Sequence, residues 1–171
     1  MLYCRAPLLI QEAALSLSPA LVATLEKITT ATITTMLLKK GIRHCWMKGP
    51  MPFSGDTKKR IVGPAFTLRF VPVREDLATP ASWAKPISTR GAIEAMPEGC
   101  IAVGDAMGIT TCGIFGDILT ARMYRRKVTA LVTDGAMRDK TGVINSKLPV
   151  WCDGVASPAS PDPRAPAQTA M

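Results

Sequence analysis

The sequence predicts an α/β fold, and three observations carry that expectation. Two short apolar runs end in acidic turns: residues 100–103 (CIAV) stop at Gly104-Asp105, and residues 128–132 stop before Asp134-Gly135. Between them Ile118, Ala121 and Tyr124 recur at helical spacing, with Leu119 and Met123 beside them. Arg125, Arg126 and Lys127 fall in the last turn of that helix, where cations suit the helix dipole. A strand, a helix and a strand in this order imply parallel strands joined by a crossover. Their C-terminal ends then share one edge, where α/β proteins hold ligands. The 171 residues fit one domain with a sizeable core.

The remaining elements follow along the chain. Residues 1–17 (MLYCRAPLLIQEAALSL) read as an N-terminal extension. Arg5 and the apolar residues resemble a signal peptide, but Gln11 and Glu12 interrupt the apolar stretch. No run is long enough to span a membrane, so no membrane partner is expected. Ser18 and Pro19 suit the N-cap and first position of a helix whose face is Leu21, Val22, Leu25 and Ile28. The β-branched run 28–35 (ITTATITT) is weak as continuous helix. It predicts a break near Thr29-Thr30, with a threonine capping a second helix that runs through Lys40 and closes at Gly41.

Residues 49–60 read as a polar loop. The stretch 61–73 reads as a strand region in which Phe66, Leu68 and Phe70 alternate with Thr67 and Arg69, and Pro72 marks an end or an edge. Residues 74–85 read as a loop. Ser88 or Thr89 can cap a short helix over 91–96 that Pro97 ends. After the central unit, residues 148–151 (LPVW) suggest a last strand. The Pro- and Ala-rich tail 156–171 is expected to be disordered.

Composition narrows the chemistry. Hydrophobic content of 47% with 20% charged residues belongs to a folded chain, and the net charge of +8 favours anionic partners. A nucleic acid and a small dicarboxylate both fit that charge. The basic residues are scattered over Lys39-Lys40, Lys58-Lys59-Arg60 and 125–127, without interleaved aromatics or a nucleic-acid motif, which sets nucleic acid aside. Five cysteines (Cys4, Cys45, Cys100, Cys112, Cys152) form no C-x-x-C pair, which suggests reduced thiols and a cytoplasmic setting. With His44 the only histidine, a zinc site lacks ligands. Any metal would be a hard, oxygen-liganded cation such as magnesium or manganese.

The candidate site centres on Asp117, Arg138 and Asp139. A Gly-x-x-Gly turn from Gly113 to Gly116 leads into Asp117 at a helix start, and Arg138-Asp139 lies just beyond the Asp134-Gly135 turn. Two nearby carboxylates repel unless a cation sits with them, and an arginine beside a carboxylate-bound metal is a fork for an anionic oxygen ligand. Two plainer readings remain: Arg138-Asp139 as a surface ion pair with Asp117 as a helix cap, and Asp134-Gly135 as a hairpin turn.

Asp117, twenty intervening residues, then Arg138-Asp139 resembles the D-x20-R-D signature of the RraA-like family. The segments VGPAFTLRF (62–70), PEGCIAVGD (97–105), FGDILTARMYRRKV (115–128) and LVTDGAMRD (131–139) resemble that family too. The resemblance covers residues 18–155. It implies a swivelling β/β/α domain with N-terminal helices, assembled as a homotrimer or a dimer of trimers. It also implies a class II, metal-dependent pyruvate aldolase. The reaction would be cleavage of 4-hydroxy-4-methyl-2-oxoglutarate, or a related 4-hydroxy-2-oxo acid, to pyruvate, with oxaloacetate decarboxylase activity beside it.

By the same resemblance Asp139 anchors magnesium or manganese. Arg138 binds the 2-oxo acid substrate, the backbone amides of Gly116, Asp117, Ile118 and Leu119 hold its carboxylate, and Asp117 holds a proton-donating water. Some RraA-like proteins instead dock on a ribonuclease and inhibit it; a carboxylate at Asp117 favours the enzyme, because a docking surface does not need one. Relatives continue beyond the equivalent of residue 155 with further strands and a glutamate that reaches a neighbouring subunit. This chain has no match to that segment, so it reads as C-terminally short, and an inactive remnant is a third reading.

Overall fold

A computed structural model of the chain describes residues 17–56, 58–72, 88–157 and 166–167. The expected 1–17 extension (apart from residue 17), the 74–85 loop and most of the 156–171 tail lie outside those residues.

Helix α1 (Pro19–Leu25) begins where the sequence indicates, with Ser18 Oγ accepting from Leu21 N at 3.3 Å. Helix α2 (Thr30–Lys39) is capped by Thr29, whose Oγ1 accepts from Thr32 N at 3.2 Å. The threonine run thus breaks the helix as expected, and α1 and α2 meet at a 106° bend. Neither helix has a buried residue.

The chain continues through β1 (Met51–Ser54), β2 (Ala65–Arg69), β3 (Val71–Pro72), α3 (Thr89–Ala95), β4 (Ile101–Asp105), β5 (Gly113–Phe115), α4 (Asp117–Arg125), β6 (Ala130–Thr133), β7 (Ala136–Met137), α5 (Lys140–Asn145), β8 (Val150–Cys152), β9 (Gly154–Val155) and β10 (Pro166–Ala167). A five-stranded sheet has the order β1-β8-β6-β4-β2 and a three-stranded sheet the order β5-β7-β9. All neighbours in these sheets are parallel except β1, which lies antiparallel on β8. β10 pairs antiparallel with β3.

Read along the chain, this topology is a repeat. The segments β4-β5-α4, β6-β7-α5 and β8-β9 each give their first strand to the large sheet and their second to the small one. β2-β3-α3 opens the series with its first strand in the same large sheet. The expected strand–helix–strand unit is therefore present, with a second strand inserted before each helix.

Three expectations change in detail. Residues 113–115 are strand β5, fully buried, and not part of a turn. Part of the 49–60 loop is the edge strand β1. The Asp134-Gly135 pair is not a hairpin turn, because β6 and β7 belong to different sheets. Asp134 instead fastens the loop after β4: its Oδ1 accepts from Ala106 N at 2.6 Å and its Oδ2 from Gly108 N at 2.7 Å.

The core joins the layers. Leu68, Ala102, Leu131 and Val150 from the large sheet, Ile114, Phe115 and Met137 from the small one, and Ile93, Met123 and Val143 from the helices belong to one buried cluster. Phe115 meets Phe70 edge to face with ring centroids 5.5 Å apart. Gly104 makes room for that ring, since a Cβ there would lie 3.2 Å from Phe115 Cε2. Burial pushes the Cys100 and Cys152 thiols above their usual range, so both are protonated core residues and not nucleophiles.

Candidate active site

The parallel register of β5 and β7 explains how residues twenty positions apart become neighbours. Phe115 pairs with Met137, and Arg138 N donates to Phe115 O at 2.9 Å. Gly116 and Asp117 leave β5 at the edge where Arg138 and Asp139 leave β7. Helices α4 and α5 start there and pack against each other.

Asp117 is the first residue of α4, not its cap. The cap is Gly116, which offers no side chain. Asp117 Oδ1 accepts from Ile118 N at 2.7 Å, which suits an acid in the positive first turn. One of the amides expected to receive a substrate carboxylate is thus already bonded within the protein. Those of Asp117 and Leu119 belong to the same turn, whose N–H groups have no carbonyl partner inside the helix. Thr120, fully buried, locks the turn: its Oγ1 donates to the carbonyls of Gly116 and Asp117, both at 3.0 Å. Ile118 projects outward and is 79% exposed.

Arg138 Nε donates to Asp139 Oδ2 at 3.0 Å, with the two side chains 36% and 39% exposed. Among the described residues the Arg138 Nη groups carry no hydrogen bond, so the planar fork points its remaining donors at solvent. Asp139 lies in the left-handed region at φ 52°, ψ 49°. It occupies the N-cap of α5, where an aspartate side chain ordinarily accepts from the first-turn amides, yet it makes no such bond.

Three glycines set the spacing of these side chains. A Cβ at Gly113 would lie 2.6 Å from Arg138 Cβ, one at Gly116 2.5 Å from Asp139 Oδ2, and one at Gly142 2.5 Å from Asp117 Cβ. Each of the three polar residues rests on a glycine Cα, and any larger residue would push it away. Sequence reading located the polar trio but missed Thr120, Gly113 and Gly142 as its supports. A helical threonine four residues after Gly116 was the available signal for back-bonding.

Among the described residues no three His, Cys, Asp or Glu side chains cluster as a metal cage. The arrangement suits a different kind of site. Magnesium keeps several waters and is held by one or two carboxylates together with substrate oxygens. A half-exposed Asp139 carboxylate withheld from helix capping, with Asp117 on the neighbouring helix start, is a donor set of that type.

The repeated β-β-α units, with a carboxylate, an arginine and a second carboxylate at the common edge, define a swivelling β/β/α domain. A family model described as "RraA-like: Aldolase/RraA" matches residues 30–170. The chain belongs to the RraA-like family, which includes both aldolases and ribonuclease regulators. The solved structure of Streptomyces coelicolor RraAS2, described as an unusual member of the RNase ES inhibitor RraA protein family, is similar at a TM-score of 0.72. It is 32% identical, over 88% of this chain and 70% of that one. The RNA-processing inhibitor RraA from Thermus thermophilis shares the fold, with a TM-score of 0.56 and 19% identity over 81% of this chain and 74% of its own. Protein DlpA of Legionella pneumophila is 30% identical over 96 residues, which are 56% of this chain and 15% of that protein. The chain thus spans a small part of the length of this curated relative.

Proposed function

We propose that this chain is a divalent-metal-dependent lyase. It would cleave 4-hydroxy-4-methyl-2-oxoglutarate, or a related 4-hydroxy-2-oxo acid, to pyruvate, with decarboxylation of oxaloacetate as a second activity. The observation that carries the reading is the state of Asp139. Its backbone is left-handed, as at His44, Met107, Lys127 and Lys147, but at Asp139 this goes with a carboxylate that makes no capping bond to α5 and lies beside an arginine fork. A surface used only for docking has no need of that arrangement.

Asp139, with waters, would hold magnesium or manganese. When bound, the cation supplies Lewis-acid polarisation of the 2-oxo group. The chain's own residues do the rest. Arg138 binds the substrate through its free donors and offsets the charge that grows on the 2-oxo oxygen. First-turn amides of α4 receive a substrate carboxylate, the Ile118 amide joining them when the Asp117 carboxylate turns away. The C4 hydroxyl gives its proton to solvent and C4 becomes the carbonyl of one product, while the C3–C4 electron pair passes to C3, which then takes a proton to complete the other. Asp117 holds the water that delivers this last proton. Membership of the family also supports an oligomer, and a homotrimer of the cytoplasmic protein is the assembly we propose.

The test is pyruvate release from the 4-hydroxy-2-oxo acid with and without EDTA. Turnover should vanish in EDTA, return with magnesium or manganese, and be absent in Asp139→Ala under all conditions. Full cleavage in EDTA would rule the mechanism out.

A further inference from the structure

The N-terminal segment carries a surface that the proposed site does not use. Leu21, Met36, Leu38, Ile42, Trp46, Met47 and Met51 are all exposed, Trp46 by 68% and Met51 by 67%. Every residue in 41–48 is exposed, and α1 and α2 bury nothing. Ile42, Trp46 and Met47 thus leave three large apolar side chains in water on one short loop, an exposure that marks an interaction surface. The charge carried by the segment itself is one-sided, although the Asp153 carboxylate lies beside Gly49. No Asp or Glu occurs between Lys27 and Gly55, while Lys27, Lys39, Lys40, Arg43 and Lys48 do. Among the described residues none of these five cations has an ion-pair partner.

We propose that this segment, from α2 through the loop to β1, lies on an anionic lipid surface. The charge pattern selects an anionic partner. A second copy seated by the same segment would set its own five cations against these five, which disfavours it at this face. Single-stranded nucleic acid would stack on aromatics, whereas the apolar residues here are one tryptophan among aliphatic and methionine side chains. Acyl chains accept all of them. Trp46 between Arg43 and Lys48 has the composition of an interfacial anchor: an amphipathic ring at headgroup depth with cations around it. No single helix is long and apolar enough to cross a membrane, and the 106° bend between α1 and α2 fits a segment lying along a surface. The expected absence of a membrane partner rested on the lack of a spanning run, which says nothing about a peripheral contact.

The experiment is sedimentation of the full chain with phosphatidylcholine vesicles and with vesicles that also contain phosphatidylserine. The chain should pellet with the anionic vesicles and not with the neutral ones, and binding should fall at least about tenfold at high salt as screening shortens the reach of the cations. Trp46→Ala, and Lys39→Glu together with Lys40→Glu, should each weaken pelleting. The altered side chains are exposed, so an unchanged circular dichroism spectrum separates lost binding from lost folding. Failure to pellet with either vesicle, equal pelleting with both, or pelleting that ignores both variants overturns the proposal. It is equally overturned if the chain binds no vesicle and Trp46→Ala converts an assembly to monomer, since the surface then belongs to a second copy, or if RNA alone is bound.

Discussion

At Asp117 the backbone and side chain serve different ends, and a substitution can separate them. Asp117→Asn keeps the size and the bond from the Ile118 amide but removes the charge that, in the proposed mechanism, orients the proton-donating water. Turnover should fall by about two to four powers of ten, the range for general acid–base groups, while the Michaelis constant changes little. Arg138→Lys should harm both constants, because a lysine cannot reproduce a planar fork. Steady-state kinetics on the two variants reads the difference. A sharp rise in the Michaelis constant of Asp117→Asn at unchanged turnover would make Asp117 a binding residue. Gly142→Ala should act like a mild Asp117 variant, since the new methyl group would meet the Asp117 side chain. At this scale the sequence displayed the candidate groups Asp117, Arg138 and Asp139 by type and spacing. It did not display the glycines beneath them, because which Cα faces which side chain is set by the packing of α4 on α5.

Helices α3 and α4 are joined by charge as well as by core. Arg122 grips Glu94 with two bonds of 2.6 Å, Arg126 adds a third at 3.2 Å, and Lys127 reaches Glu98 at 2.8 Å. The sequence reading assigned residues 125–127 to the helix dipole alone; Arg126 and Lys127 also pair across to these glutamates at and just beyond α3. Hydrogen bonding by Arg122 holds the Glu94 carboxyl below its ordinary 4.5. A lowered carboxylate contributes stability above its unfolded value and loses it as the pH falls through the folded one. Glu94→Gln should therefore melt below the parent protein at pH 7, and the gap should close as the pH drops below 4.5. Thermal melts of both proteins across that range check it; a gap of constant size at pH 3 would remove the ion pair as its cause. Helix starts were legible because Ser18, Thr29 and Ser88 are capping residues with visible partners. Strands β5, β7 and β9 were not, because two or three residues give no alternation to read and two of the three begin with glycine.

Over the whole molecule, the parallel order of the large sheet was foreseeable from the central unit, while the second sheet was not. Of the tail beyond residue 157 the structure describes only β10. β10 pairs two residues with β3, and Pro166 faces Pro72, so neither member of that pair has an N–H to give. Removing residues 158–171 should shift the melting temperature by less than about 5 degrees, equivalent to about 2 kcal/mol in a domain of this size. A larger drop would show that the tail packs. The edge strand β1 raises a question of timing. Among the described residues its partner is β8, through Met51 with Cys152 and Ser54 with Val150. On the ribosome β1 emerges about a hundred residues before that partner, at roughly 5–20 residues per second. For those seconds a strand of Met, Pro, Phe and Ser has nothing of its own chain to pair with. The nascent protein therefore carries an open, apolar strand until β8 has been made, and the proline within it blunts the strand as a template for neighbouring chains.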